Sequence, residues 1–200
     1  MRKTGKIVAA TALAAVALTL PACSSGSKRA PSDLDRKLSQ STYIEEGKIL
    51  ALIVGTRVTR QREERPYIPF EVAVVNKALA SLSFTAESFT LVDSEGNRYS
   101  TVGFEELKKD YGNVDIDRRL EEVAPTVRGT YQAYEEIPSS LTGSFDRPIV
   151  QKMFLPKFSY MSDMIYFPTP AGGVKGKRFE LFLNATELPD PVFVKFEVAN

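Results

Sequence analysis

Residues 69–76 read Pro-Phe-Glu-Val-Ala-Val-Val-Asn, and they decide the fold class predicted for this chain. Successive side chains of a strand point to opposite sides. Phe70, Val72 and Val74 therefore share one side, while Glu71 lies on the other. Because β-branched and aromatic residues favour strands, we predict a strand here, with the Phe70 side facing the core.

Residues 88–100 predict a β-hairpin. Phe89 and Leu91 alternate with more polar positions, and residues 93–97, Asp-Ser-Glu-Gly-Asn, are dense in turn formers. Gly96 can adopt a positive φ without a steric penalty, as a tight turn requires. The returning segment, 98–100, completes the hairpin pattern.

The remaining segments extend this pattern along the chain. The sequence favours strands at 48–60, 129–134, 179–183 and 192–198, and an apolar segment at 152–167. Phe104, Leu107 and Tyr111 have helical spacing and precede Gly112, which predicts a short amphipathic helix. Residues 114–123 predict a further turn or two of helix. Short strands separated by turn clusters are typical of a β-sandwich.

Three of these stretches resemble a family of exported bacterial domains of unknown function. They are residues 70–76, the hairpin 89–99 and the segment 164–170, Met-Ile-Tyr-Phe-Pro-Thr-Pro. The resemblance covers roughly 48–102 and 160–200, and it implies an immunoglobulin-like (telokin-like) sandwich that is often found on lipoproteins. The chain departs from the family by a longer segment between about 103 and 150. The resemblance brings no catalytic residues with it.

We therefore predict a mainly β protein, an immunoglobulin-like antiparallel β-sandwich over residues 43–200. One or two short helices are expected to be inserted around residues 103–123.

The N-terminal part of the chain has the features of an export signal. Arg2, Lys3 and Lys6 form a cationic start, and residues 7–20 are uninterrupted apolar or small. This apolar run is shorter than the ~20 residues that a membrane-spanning helix needs. The pattern predicts a signal peptide over residues 1–22.

Leu20-Pro21-Ala22-Cys23 resembles the bacterial lipoprotein box, although Pro21 departs from its usual pattern. The resemblance implies that Cys23 becomes the first mature residue and carries diacylglyceryl and N-acyl groups such as palmitate. Cys23 is the only cysteine, so it has no disulfide partner within the chain. Anchoring by two or more acyl chains is stable. The alternative is an ordinary cleavage site followed by an unpaired cysteine.

Residues 24–42 are mostly polar and predict a flexible tether with a typical reach of about 25 Å. The predicted organisation is thus a signal peptide, a lipidated cysteine with its tether at 23–42, and a domain at 43–200. Ser24 stands where an aspartate often retains lipoproteins in the inner membrane. By resemblance, this favours the outer membrane, where the organism has one.

Composition excludes several classes of chemistry. The chain has no histidine, which excludes histidine-based triads and histidine metal sites. Acylation of the single cysteine would remove thiol catalysis as well. Removal of residues 1–22, which hold three basic and no acidic groups, changes the formal charge from +1 to −2. Interspersed charges near neutrality give no reason to expect nucleic-acid binding.

The carboxylate clusters predict neither a metal site nor a catalytic site. Asp110, Asn113, Asp115 and Asp117 lack the spacing of an EF-hand loop. Glycoside hydrolysis needs two carboxyl groups facing each other across a cleft. The adjacent glutamates at 105–106 and 135–136 instead point apart. We predict no cofactor apart from the covalent lipid on Cys23.

The apolar segment 152–167 leaves two interpretations open. It holds every methionine except Met1, and methionine suits both cores and adaptable binding surfaces. In the first interpretation the segment fills the core. In the second, Phe158, Tyr160, Met161 and Met164 form an exposed patch that binds a partner. Their solvent exposure decides between the two.

The sequence therefore favours a lipid-anchored envelope protein with a non-catalytic domain that binds a protein partner or an envelope polymer. An accessory or assembly subunit of an envelope complex is the first alternative. A carboxylate-dependent envelope enzyme is the second, and it would require a cleft with convergent carboxyl groups.

Overall fold

The computed structural model describes residues 36–144, 146 and 148–200. The predicted signal peptide, Cys23 and most of the predicted tether lie outside these residues. The described residues belong to one compact unit, Ser32–Asn200.

The described part of the chain is mainly β. Its strands are β1 Arg36–Lys37, β2 Thr42–Glu46, β3 Leu50–Gly55, β4 Tyr67–Asn76, β5 Ser81–Phe84, β6 Phe89–Asp93, β7 Arg98–Ser100, β8 Glu135–Glu136, β9 Met153–Pro156, β10 Ser159–Pro168, β11 Arg178–Leu183 and β12 Val192–Glu197. Its α-helices are α1 Phe104–Asp110, α2 Val114–Arg118 and α3 Val123–Thr130.

The strands form three sheets. A six-stranded sheet has the order β1-β2-β3-β4-β10-β8, and a four-stranded sheet has the order β12-β11-β6-β7. Strands β5 and β9 pair separately. The pairs are antiparallel except for β8 and β10, which run parallel. The predicted hairpin is present as β6 and β7, and Gly96 in its turn has a φ of 87°.

The two larger sheets pack face to face, so the predicted mainly β sandwich is confirmed. Their shared core joins residues such as Phe70 and Val72 of β4 to residues of β11 and β12. The Phe70 ring lies 5.2 Å from that of Phe196 and 6.4 Å from that of Phe179. Such edge and tilted ring pairs add specific contacts to the hydrophobic burial. The immunoglobulin-like assignment stays a prediction.

Strand β4 is the centre of the larger sheet, and all ten of its residues are buried. The Phe70 side faces the sandwich core, as predicted. The opposite side is also covered, since Ala73 and Val75 pack against Val123 and Val127 of α3. The helical segment thus forms a third layer on the outer face of the six-stranded sheet.

The inserted helical segment is longer than predicted. Helices α1 and α2 lie within the expected region, but the strand predicted at 129–134 is wrong, because α3 continues through Thr130. Burial of Val123 and Val127 on one side of α3 favours helix over strand at this position. The strand predicted over 48–60 ends at Gly55, and Thr59–Gln61 forms a 3₁₀ turn.

The folded domain begins earlier than the predicted boundary at residue 43. Arg36 and Lys37 pair with Ile44 and Tyr43 in the sheet. The neighbouring Thr42 is buried. The predicted tether therefore ends at or before Arg36, because two polar residues at its end complete an edge strand.

No α-helix among the described residues is both long and apolar enough to span a membrane.

Candidate functional site

The predicted partner-binding residues do not share one surface. Tyr160, Met161 and Met164 are buried, with 3%, 0% and 0% exposure, so their assignment to a binding patch is wrong. They lie on β10, which pairs with β4 on one side and with β8 on the other. Both faces of β10 are covered, one by the second sheet and one by the helical segment.

Phe158 is the exception, with 51% of its surface exposed. It lies in the turn between β9 and β10 with a φ of 60°, a left-handed conformation. This backbone conformation costs a residue other than glycine about 1–2 kcal/mol. Two hydrogen bonds hold it in place: the Phe158 amide donates to the Asn76 carbonyl at 2.8 Å, and the Glu135 amide donates to the Phe158 carbonyl at 3.0 Å.

Other side chains surround the exposed Phe158 ring. Lys157 Nζ lies 4.8 Å from the ring centre, in a cation–π arrangement. The Tyr134 ring meets it edge-on at 5.6 Å, and Tyr131 packs on Tyr134 at 5.4 Å. We call Tyr134, Lys157 and Phe158 the aromatic turn. A strained, exposed aromatic residue of this kind is more typical of a functional surface than of a structural one.

A second exposed surface lies on the outer face of the four-stranded sheet. The strand register arranges its half-buried and exposed residues in two rows across the four strands. We call these eight residues the open face: Ser100, Thr90, Phe182 and Phe193 in the first row, and Arg98, Val92, Glu180 and Lys195 in the second. Within the described part of the chain, the residues of α1, α2 and α3 belong to the clusters on the six-stranded sheet, and none of them belongs to the core that contains residues of this four-stranded sheet.

Two phenylalanines form the centre of the open face. Phe182 and Phe193 are directly opposite each other on neighbouring strands, and their rings stack at 4.9 Å. The Arg98 guanidinium lies 5.9 Å from the Phe182 ring, and Lys195 Nζ lies 5.8 Å from the Phe193 ring. Lys195 also pairs with Glu180 at 2.9 Å. The result is a half-buried aromatic pair on the outer face of the sheet, bordered by charged and hydroxyl groups.

The sequence already contained the signal for this face. Phe182 and Phe193 occupy the outward positions of the strands predicted at 179–183 and 192–198. Large aromatic residues at positions that alternation assigns to solvent are unusual in an antiparallel sheet with one face exposed. The pairing of the two strands, which places the rings together, was not available from the sequence.

Three carboxylates are buried in the described residues. Glu71 is the first, on the helix-covered side of β4. Its carboxylate accepts hydrogen bonds from the amides of Glu122, Val123 and Ala124, at 2.7, 2.8 and 2.9 Å. These are the free amides at the start of α3, where a negative charge is favoured. Burial nevertheless raises the pKa of Glu71, while the three amides act in the opposite direction.

Gly55 makes this close approach possible. It is paired with Glu71 across β3 and β4. A Cβ atom at Gly55 would lie 2.6 Å from Cγ2 of Val123, which is closer than van der Waals contact permits. Only glycine therefore fits beneath the start of α3.

Asp117 is the second buried carboxylate. It accepts hydrogen bonds from Arg62 Nε at 2.8 Å and from the Tyr111 hydroxyl at 2.5 Å, with the Tyr166 hydroxyl at 3.4 Å. Burial raises the pKa of Asp117, whereas its partners Tyr111 and Arg62 lower it. Asp117 is the one member of the acidic cluster at 110–117 to be buried. Through Arg62 it joins α2 to the loop before β4, and through Tyr166 it bonds to β10.

Asp163 of β10 is the third. Its carboxylate accepts hydrogen bonds from the Leu141 amide at 2.5 Å and from the Met164 amide at 2.8 Å. The Arg118 guanidinium forms an ion pair with it at 3.1 Å. These partners hold the segment after β8 and helix α2 against β10. Like Glu71 and Asp117, Asp163 is occupied by structural contacts.

The glutamate pairs considered in the sequence lie on the surface. Glu106 accepts a hydrogen bond from Tyr67 at 2.8 Å, and Glu136 pairs with Arg128 at 3.1 Å. A surface depression of about 550 Å³ is lined by residues 60–65, including Glu63 and Glu64. Three arginines share its lining, and Glu63 pairs with Lys175. Among the residues that the structure describes, no three Cys, Asp or Glu side chains come together as a metal site would require.

Comparison with known proteins gives little further information. No family model and no curated protein match the chain. Among solved structures, the chain is similar to one described as "a putative lipoprotein (ycdA) from Bacillus subtilis subsp. subtilis str. 168". The two share 15% sequence identity with a TM-score of 0.40, and the match covers 77% of this chain and 38% of the other. The chain thus spans well under half of that protein, and a likeness this weak carries no argument about fold or function.

Proposed function

We propose that this protein is a lipid-anchored envelope protein whose β domain binds an envelope polymer or a protein partner without catalysing a reaction. The open face is the observation that carries the proposal. It combines a stacked aromatic pair with flanking hydroxyl, cationic and anionic groups on a rigid sheet. The immunoglobulin-like character of the domain and an outer-membrane location are parts of the same proposal.

The geometry of the face suits binding for two reasons. First, the strand register places Phe182 and Phe193 side by side and their rings stack on each other, so little side-chain freedom is lost when a ligand contacts them. Second, the hydrogen-bonding groups lie in the same two rows as the rings. Thr90, Ser100 and Arg98 can therefore contact polar groups of a ligand whose apolar part packs on the aromatic pair.

The buried carboxylates support a non-catalytic role. Glu71, Asp117 and Asp163 each have backbone amides or an arginine as partners, and each has a structural reason to be present. A general acid or base must instead reach a substrate in a cleft. We therefore assign these three carboxylates to the stability of the domain.

Photo-crosslinking in intact cells tests the binding proposal. A photoreactive phenylalanine analogue replaces Phe193, which keeps an aromatic ring on the open face. The matched control carries the same analogue at Ile116, which is 50% exposed on α2. We expect crosslinked products from position 193 and not from position 116, and we expect Phe182→Ala to abolish them.

The nature of the product identifies the class of partner. A discrete band indicates a protein, whereas a heterogeneous ladder that collapses after digestion of envelope polysaccharide indicates a polymer. Equal crosslinking from both positions, or none from either, would contradict the proposal. Fatty-acid labelling tests the anchor separately, and Cys23→Ala should abolish the label.

A further inference from the structure

The aromatic turn lies beyond one end of the six-stranded sheet. At this end, Asn76, the last residue of β4, is level with Leu50 on one side and Ser159 on the other. Phe158 precedes Ser159 and bonds to the carbonyl of Asn76. The turn therefore projects past the last row of the sheet.

Strand β1 runs away from the same end of the sheet. Strand β1 is antiparallel to β2 and pairs Arg36 with Ile44, so its first residue lies nearer the end of β2 that carries Glu46. Arg36 contacts Glu46 at 3.7 Å, and the Tyr131 hydroxyl lies 3.4 Å from the same carboxylate. From Tyr131 the ring contacts continue through Tyr134 to Phe158. A continuous series of contacts thus joins the start of the described chain to the aromatic turn.

The lipid anchor of the proposed function would lie close in sequence to this point. Cys23 and Arg36 are thirteen positions apart in the sequence, with twelve residues between them. A chain of this length spans at most about 45 Å when fully extended and typically about 20 Å as a random coil. The end of the sheet from which β1 runs is accordingly held near the bilayer surface.

The chemistry of the turn matches that environment. Aromatic rings and long cationic side chains concentrate at the interface between lipid and water, where each keeps its apolar part in lipid and its polar part in water. The turn presents Phe158 with Lys157, and β9 presents a second pair, Phe154 with Lys152 at 5.3 Å. Phe154 is 59% exposed, which makes it the most exposed large apolar residue described.

The charges along the contact series do not oppose this placement. Four cations, Arg36, Lys77, Arg128 and Lys157, lie along it with three carboxylates, Glu46, Glu135 and Glu136. Glu46 and Glu136 have cationic partners. An anionic bilayer would therefore meet no net negative charge here.

We propose that the aromatic turn inserts into the headgroup region of the bilayer to which the chain is anchored, with Phe158 in contact with acyl chains and Lys157 beside lipid phosphates. This inference rests on the lipidation of Cys23 that is part of the proposed function. It fixes the orientation of the domain: the lipid and the turn are two contacts with one membrane at one end of the sheet.

Tryptophan fluorescence tests the inference directly. The chain contains no tryptophan, so Phe158→Trp introduces a single reporter and keeps an aromatic side chain in the turn. The full-length lipidated variant is incorporated into phosphatidylcholine–phosphatidylglycerol vesicles with and without brominated acyl chains. We expect a blue-shifted emission that brominated lipid quenches strongly. Adding Lys157→Glu should weaken the quenching, since it places a negative charge beside lipid phosphates.

Phe193→Trp on the open face is the matched control, and we expect its emission to be unaffected by brominated lipid. Vesicle flotation separates the two proposals. Protein that floats with vesicles but shows no quenching in either variant keeps the anchor and overturns the insertion. Protein that does not float overturns both. A Phe158→Trp reporter that is shielded in intact envelopes but not in pure lipid vesicles shows a protein contact instead, and it also overturns the insertion.

Discussion

The outer faces of the two large sheets differ in how far the rest of the described chain buries them. The six-stranded sheet is covered by the helical segment, and the buried carboxylates Glu71 and Asp117 lie between that segment and the sheet. The four-stranded sheet leaves its outer residues half-buried or exposed, and its ion pairs are partly in water. A buried polar group must have partners to be tolerated, whereas an exposed one can exchange water for a ligand.

Because of this difference, buried charged side chains on the covered sheet have structural roles, whereas charged side chains on the open face remain accessible to a ligand. On the covered sheet, each of the three buried carboxylates fixes a helix or loop in place. On the open face, Glu180 and Lys195 bond each other across neighbouring strands and remain about one-third exposed. Side chains of the same types therefore have different roles on the two sheets, and mutations should reveal this as a difference in stability.

The largest expected effect is at Glu71. Glu71→Ala leaves three amides at the start of α3 without their acceptor, and we expect a loss of about 4 kcal/mol in the free energy of unfolding. Glu180→Ala on the open sheet removes a partly exposed ion pair and should cost less than about 1 kcal/mol. Urea unfolding of both variants measures the difference. Equal losses would show that the two sheets do not differ in this respect.

The ion pair of Asp117 gives the next largest effect. Asp117→Asn leaves the buried Arg62 charge unpaired, and we expect a loss of about 3 kcal/mol. Replacing Arg62 as well, as Arg62→Met with Asp117→Asn, should recover most of that loss, because no buried charge remains unpaired and the side-chain amide oxygen introduced at position 117 still accepts from the Tyr111 hydroxyl. A double variant as unstable as the single one would contradict this explanation, because removal of the unpaired charge would then not restore the free energy of unfolding.

The smallest expected effect is a contrast in acid titration. In the β6–β7 turn of the open sheet, Asp93 accepts bonds from Asn97, Tyr99 and the Glu95 amide. These hydrogen bonds, chiefly that of the Asn97 side chain, lower the pKa of Asp93 to about 2. Burial raises the pKa of Glu71. NMR titration of the two carboxyl groups measures both shifts.

The two shifts have opposite consequences for stability. The contribution of Asp93 is complete above its ordinary pKa near 4 and is lost as the pH falls toward 2, because the unfolded chain takes up the proton first. Glu71 behaves in the reverse sense: the folded state holds its proton longer, so its contribution decreases as the pH rises through its raised pKa. Asp93→Asn should remove the first dependence alone.

Most of the β framework followed from the alternation of residues. The strands at 69–76, 179–183 and 192–198 and the hairpin at 88–100 required only local spacing and turn formers. The strand predicted at 129–134 failed because Gly129 and Thr130 complete α3 and the residues after Tyr131 form a turn. Strands β1 and β2 were missed because polar residues are stabilised there by pairing with distant strands.

The functional surfaces followed from the sequence only in part. Phe158 was among the predicted binding residues and is exposed, but Tyr160, Met161 and Met164 are buried because β10 is an inner strand. The methionine-rich and aromatic composition of segment 152–167 is compatible with a core and with a binding surface, so it does not decide between them. The open face depends on the pairing of β11 with β12, a contact between segments that alternation alone does not align.

Strand β1 also has a mechanical consequence. It contributes two residues at the outermost edge of the sheet, and any tension from the N-terminal side reaches the domain through them. Because β1 has only two residues, it detaches from β2 before the force reaches the longer strands β2, β3 and β4. The first step of unfolding by a pulling force at this end would thus be the loss of β1, with the rest of the sheet intact.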